Sequence, residues 1–159
     1  METFVEQLSE YELERGKPMP NTIHGAIQAN LIFEMKSQYR HQYRVLSEVT
    51  LATVLDGSTP DVLVYPSFPL DFLSVPPVKR TDAPLLTIEV QSPSQSMEEM
   101  VGKVESYFNF CVKSCWIVVP SLQAVLVYSQ PGQYWFFHGS DTLHDATLNL
   151  SLSLAPIFE

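Results

Sequence analysis

Cysteine is nearly absent from this chain: Cys111 and Cys115 are its only two, spaced C-x-x-x-C. Two thiols are half of a structural zinc site, and no histidine pair stands nearby to complete it. The spacing reads instead as small, buried or half-buried thiols in a reducing compartment. Long apolar runs are missing too, none reaching the roughly 18 residues needed to span a bilayer, so no membrane segment is expected. The N-terminus, Met1 to Glu6, has no basic stretch followed by an apolar one, which leaves a cytoplasmic location as the default. Basic residues are scarce. Nine lysines and arginines face 18 aspartates and glutamates, a net charge of −9. That balance opposes non-specific coating of nucleic acid but leaves room for a local basic face. A glycine-rich phosphate loop and a G-x-S-x-G elbow are both absent, which removes the P-loop NTPases and the α/β-hydrolases.

What is present is an ordinary globular composition, 45% hydrophobic and 17% charged over 159 residues. One domain spanning 1–159 is expected, large enough to bury a sizeable core. A short first helix is predicted around Phe4, Val5 and Leu8, then a short strand at Tyr11–Leu13 ended by Gly16 and Pro18. Asn21 or Thr22 caps a helix running to about Ser37, with Ile23, Ile27, Leu31 and Met35 as its buried stripe. His24 and Gln28 project from one side of that helix, and Glu34 sits near the stripe. Strands are predicted at Tyr43–Leu55 and Asp61–Tyr65 as a hairpin, followed by a proline-rich surface loop from Pro66 to Lys79. Pro84–Val90 is the next strand. The capping box Ser96-Met97-Glu98-Glu99 starts a helix to about Phe110, with Val101, Val104 and Phe108 on its core face. Strands at Ser114–Val119, Ala124–Ser129 and Tyr134–Phe137 follow, and alternating Leu148, Leu150, Leu152 and Leu154 mark a last one. Strand, helix, strand from Pro84 to Val119 is a βαβ unit between antiparallel hairpins. The fold class is therefore α/β, a mixed central sheet flanked by helices.

Chemistry is suggested by two acids at strand ends. Asp61 opens the run Val62–Tyr65, and Glu89 closes the run Leu85–Ile88. Antiparallel pairing would bring the two carboxylates together at one sheet edge, where they can share a hard divalent cation. That is the minimal apparatus for metal-assisted phosphodiester hydrolysis. Asp61 alone also fits a structural turn cap. Glu89 ends a run that should be buried, and a buried carboxylate needs a partner or a metal. Gln91 shares a strand face with Glu89 and can orient a water. In a PD-(D/E)-x-K pattern, position 91 would hold a lysine that offsets charge on the phosphate. Lys103, on the helix that packs back over this strand, is the substitute, or else a surface lysine with its stem laid along apolar surface. His24 and Glu34 are possible accessories from the first long helix. Tyr39, Arg40 and Arg44, in a run with Lys36, His41 and Tyr43, form a short basic and aromatic patch suited to phosphates and bases, or a solvated helix end.

The order of these motifs resembles a known family. Tyr11 to Lys17 (YELERGK), His24-Gly25 opening a helix, Pro60-Asp61-Val62, Glu89-Val90-Gln91-Ser92-Pro93-Ser94, Lys103 with Tyr107, and Cys115 to Pro120 (CWIVVP) follow one another as in the bacterial Uma-two family of restriction endonuclease-like proteins. The match covers about Tyr11 to Tyr128. The resemblance implies a restriction endonuclease-like fold with Asp61 and Glu89 as metal ligands, Gln91 at the third motif position and Lys103 as the helical lysine. His24 matches the family's helix-opening histidine. Cys111 departs from the pattern, standing where a glycine usually ends the helix. The expected protein is a nuclease using Mg2+ or Mn2+ on DNA, as a twofold dimer if it cuts both strands. Its rival is a catalytically silent binding module on the same fold.

Overall fold

A computed structural model describes residues 18–159 together with Glu12. The helix expected near Phe4 therefore lies outside the described residues, as do the strand expected at Tyr11–Leu13 and the Tyr11–Lys17 motif apart from Glu12, which is helical rather than strand. Among the described residues, eight strands and two α-helices follow in chain order: α1 (Thr22–Tyr39), β1 (Tyr43–Ser47), β2 (Val62–Pro66), β3 (Leu86–Val90), α2 (Met97–Asn109), β4 (Ser114–Val119), β5 (Ala124–Gln130), β6 (Gln133–His138), β7 (Thr142–Asp145) and β8 (Leu150–Ser153). The first six form one sheet in sequence order. β3 and β4 are parallel and joined through α2, while every other neighbouring pair is antiparallel. β7 and β8 make a separate hairpin.

Side-chain alternation sorts the sheet into two faces, because successive residues of a strand point to opposite sides. Val62, Val64, Leu86, Ile88, Val90, Trp116, Val118, Val125 and Val127 join Ile27, Leu31 and Met35 of α1 in one core, completed by leucines of the β7–β8 hairpin. Leu63, Tyr65, Cys115, Ile117, Leu126 and Tyr128 join Met100, Val104 and Tyr107 of α2 in the other. β2 and β4 are consequently apolar on both sides, while β3 is buried on both but carries Thr87 and Glu89 on the α2 face, which is why these sequences read as near-continuous buried runs.

Local sequence explains how the helices begin and end. Asn21 caps α1 by accepting from the His24 N–H at 2.9 Å, and Ser96 caps α2 by accepting from the Glu99 N–H at 3.1 Å. α2 ends with Val112 N–H donating to the Tyr107 carbonyl and Cys111 N–H to that of Phe108, the paired bonds of a Schellman turn. Cys111 holds the left-handed position of that turn at φ 75°. This is the conformation for which the family's glycine is suited, and here a residue with a Cβ adopts it.

Several expected boundaries shift. The strand predicted to reach Leu55 stops at Ser47, where Glu48 takes a positive φ of 55° and bends the chain away. The α1 stripe is His24, Ile27, Leu31 and Met35; Ile23 is 61% exposed. The α2 stripe is Met100, Val104 and Tyr107, with Val101 at the surface and Phe108 half-buried. β7 was not foreseen, since its four residues alternate too briefly to stand out.

A third buried carboxylate locks the hairpin to the sheet. Asp145 on β7 accepts from the Trp116 indole N–H at 2.8 Å, from the Ser114 hydroxyl and from the Leu148 N–H at 3.1 Å. Tyr39 at the end of α1 adds a second tie, donating to the Ser151 carbonyl at 3.1 Å and accepting its N–H at 2.9 Å. Among the described residues no helix is long and apolar enough to cross a membrane.

Candidate active site

The register Val62↔Ile88, Leu63↔Thr87, Val64↔Leu86 places Asp61, just before β2, across from Glu89 near the end of β3. Asp61 is fully buried and Glu89 is 4% exposed. The antiparallel meeting of these two acids, expected from the sequence, is present.

Each carboxylate is held by donors from a different layer. Asp61 Oδ2 accepts the Val90 N–H at 2.7 Å and lies 3.2 Å from His24 Nε2. One turn along α1, Gln28 Nε2 donates to the Asp61 carbonyl at 3.1 Å and to Ser47 Oγ at 3.1 Å. Glu89 Oε1 accepts the Tyr107 hydroxyl, and Lys103 Nζ lies 3.6 Å from Oε2. Lys103 and Tyr107 are four residues apart and share one face of α2, so both reach the same carboxylate. Burial, and then the Glu89 carboxylate, push the Tyr107 hydroxyl well above the usual phenol range. It stays a hydrogen-bond donor at any ordinary pH.

The remaining residues singled out by sequence divide. Gln91 lies two positions beyond Glu89, half-buried, with Nε2 donating to the Gln95 carbonyl at 2.9 Å. Glu34 stands ten residues beyond His24 on α1, a separation of about 15 Å along the axis, so it is not part of this cluster. Tyr39 is spent on Ser151, as above. Arg44 donates through Nε and a terminal nitrogen to the Phe68 carbonyl at 3.3 and 2.9 Å, with its guanidinium 5.5 Å from the Phe68 ring. Arg40, the third of that trio, is exposed, with no such bond among the described residues. The patch is mainly an internal clamp on α1 and on the loop after β2. Tyr107 was quoted in the sequence motif without a role; its spacing from Lys103 was the signal that both serve Glu89. Asp145 gave no signal, because its partners Ser114 and Trp116 are about thirty residues away in sequence.

Beside the acids, His24, Gln91 and Gln95 join Asn21, Ile23, Ser92, Pro93, Pro120 and Ser121 around a cavity of about 400 Å³.

A mixed sheet between helices, with paired carboxylates at the β2–β3 end and a lysine on the crossover helix, defines a restriction endonuclease-like protein. The chain belongs to the Uma2 family, described as "Putative restriction endonuclease", whose model matches residues 5–155. A crystal structure of a putative nuclease of DUF820 from Anabaena variabilis is similar at 26% identity and TM-score 0.73. The similarity covers 89% of this chain and 83% of that one. No functionally curated protein matches the chain.

Proposed function

We propose that this protein is a divalent-cation-dependent nuclease that hydrolyses DNA phosphodiester bonds at the Asp61–Glu89 pair. The observation that carries this reading is the convergence of two buried carboxylates, each fixed by donors, at one end of the sheet.

The donor set fits a hard cation of the magnesium type. Mg2+ is commonly bound through one or two carboxylates, completing its octahedron with water and substrate phosphate. Among the described residues no group of three or more histidine, cysteine, aspartate or glutamate side chains is arranged to hold a metal. A cation there would be held by the two carboxylates alone, with water and substrate phosphate completing its coordination. Bound Mg2+ or Mn2+ would supply Lewis acidity toward the phosphate and a more acidic water.

The chain's own groups take the other roles. Val90 N–H and His24 fix the Asp61 carboxylate, and Tyr107 fixes that of Glu89, so neither must reorganise when substrate arrives. Lys103 stabilises negative charge developing on the phosphate, replacing the lysine missing from position 91. Gln91 stands at the third motif position as a neutral residue, its Nε2 tied to the Gln95 carbonyl. Arg40 is the exposed cation left for a flanking phosphate. Cutting both strands of a duplex would call for a twofold dimer, whereas a single strand would not.

Cleavage of supercoiled plasmid and of single-stranded oligonucleotide with Mg2+ or Mn2+ tests the proposal. Activity that depends on the cation and vanishes in Glu89→Gln, with the thermal transition retained, is the expected result. No cleavage and no heat of cation binding in the unmodified protein would sink it in favour of a silent binding module.

A further inference from the structure

We infer that the cavity beside the carboxylate pair is a nucleobase pocket, seating an unstacked base of the nucleic-acid strand next to the bond to be cut. The inference rests on the nuclease reading for the origin of its ligand. The chemistry of the pocket comes from its lining.

Size and charge narrow the occupant. The cavity of about 400 Å³ lies within the range of small-molecule sites and has ample room for one base and part of its sugar. Among the described residues, no lysine, arginine, aspartate or glutamate lines it. A phosphate subsite is ordinarily built from arginine or lysine, and that chemistry is missing here. Ile23, Pro93 and Pro120 supply apolar walls of the kind on which a flat ring packs.

Two glutamines supply directional polar groups. Gln91 commits Nε2 to the Gln95 carbonyl, and Gln95 commits Oε1 to the Ser92 N–H at 3.0 Å. Both amide orientations are thereby set. The opposite ends, the Gln91 Oε1 acceptor and the Gln95 Nε2 donor, have no hydrogen-bond partner among the described residues. An acceptor and a donor held at fixed places match the edge of a base, which presents both kinds of group. With no lysine, arginine, aspartate or glutamate among the described lining residues, they suit a neutral heterocycle.

His24 links the pocket to the reaction centre. It is one of the residues around the cavity, with Nε2 3.2 Å from Asp61 and Nδ1 buried without a hydrogen-bond partner. A buried polar atom left unpaired is unfavourable, and a ligand that draws the ring slightly outward would pair it. A base seated here lies one imidazole away from a carboxylate of the candidate metal site.

Strandedness follows. A base within an intact duplex is stacked and paired, so it reaches a pocket only by being flipped out, at a cost absent from single strands. Single-stranded or locally opened DNA is the substrate form this pocket selects. The net charge of −9 is consistent with a protein that gains little from duplex phosphates alone.

The test uses the full chain without divalent cation, so binding is read apart from cleavage. Deoxynucleosides, inorganic phosphate, a single-stranded trinucleotide and a short duplex are titrated while backbone amide resonances of Gln91, Ser92, Gln95 and Ser121 are followed. Deoxynucleosides shifting these resonances at millimolar concentration, with the trinucleotide binding more tightly than duplex, is the expected result. Ser121 is exposed at the rim, so Ser121→Trp fills the mouth without touching the core, and it should weaken nucleoside binding by about tenfold or more. Shifts with inorganic phosphate but not with nucleosides would overturn the base pocket in favour of an anion subsite. Equal affinity for duplex and single strand, or undiminished binding by Ser121→Trp, would overturn it as well. Cation-dependent cleavage without nucleoside binding refutes only the pocket, and nucleoside binding without cleavage refutes only the nuclease.

Discussion

Tyr107→Phe removes one oxygen from the best-enclosed partner of the candidate site. The ring is 1% exposed and packs in the α2-side core, and phenylalanine keeps that packing. What disappears is the hydrogen bond to Glu89 Oε1. A hydrogen bond to a charged group is worth about 1.5–3 kcal/mol, more than a neutral one because the partner left behind is a buried charge. For a chain of this size, a loss of that order lowers the melting temperature by about 3–12 °C. Chemical denaturation gives the free energy directly, and a double-mutant cycle with Glu89→Gln isolates the pair. If the charge-assisted bond is the source, Tyr107→Phe costs only about 0.5–1.5 kcal/mol once residue 89 is neutral. On the proposed metal reading, cation affinity should fall as well, by about 10–100-fold, since the hydroxyl positions the carboxylate assigned to the cation. A Tyr107→Phe variant as stable as the parent, or a cycle that is strictly additive, would refute the reasoning.

Asp145→Ala should cost at least about 3 kcal/mol in urea denaturation, because it strands the Trp116 indole and Ser114 hydroxyl in the core together with the Leu148 N–H. A cost near zero would mean these donors find other partners. Cys111→Gly should raise stability by about 0.5–1 kcal/mol: relief of a left-handed cysteine exceeds the extra backbone entropy of glycine, and a decrease in urea midpoint would contradict this. Burial pushes the Cys115 thiol from 9.0 to about 12. Below pH 9 this thiol is protonated in both states; between pH 9 and about 12 it ionises only on unfolding, so stability falls across that window by up to about 4 kcal/mol. Cys115→Ala should flatten the fall of unfolding free energy with pH over the same window, and an unchanged slope would reject the assignment.

The parts of the fold legible in the sequence are those where a local signal and a tertiary requirement coincide. The S-x-x-E box at Ser96 and the asparagine at position 21 each mark a helix start, and the caps form as written. The apolar runs of β3 and β4 show through because both faces of these strands are covered. Boundaries fail where long-range geometry intervenes. Nothing near Ser47 announces the positive φ of Glu48 that ends β1. Ile23 satisfies the helical period equally well as His24, yet the histidine turns inward because a buried carboxylate waits there. The same logic separates the site residues. Asp61 and Glu89 were visible as acids attached to buried strands, and Lys103 as a cation on the crossover helix. Tyr39 and Arg44 looked like nucleic-acid contacts because their partners, Ser151 and Phe68, are invisible to any local pattern.

The placement of donors around the two acids has a consequence for how the site is assembled. Asp61 is reached by His24 and Gln28, both on α1, while Glu89 is reached by Lys103 and Tyr107, both on α2. Those helices cover opposite faces of the sheet and belong to separate apolar clusters. The direct link between the halves is through the strands, where the Val90 N–H following Glu89 donates to Asp61 Oδ2. Loosening either helix therefore leaves one carboxylate buried with fewer donors, an unfavourable state that feeds back on the sheet. The pair behaves as a joint between two layers, whose geometry is correct only when both are docked. On the nuclease reading proposed above, the site needs a cation within reach of Glu89, which a lysine on either strand or helix could supply. Lys103, 3.6 Å from Oε2, meets that requirement from the α2 side. Position 91 is thereby released from holding a charge, and a neutral glutamine can serve there.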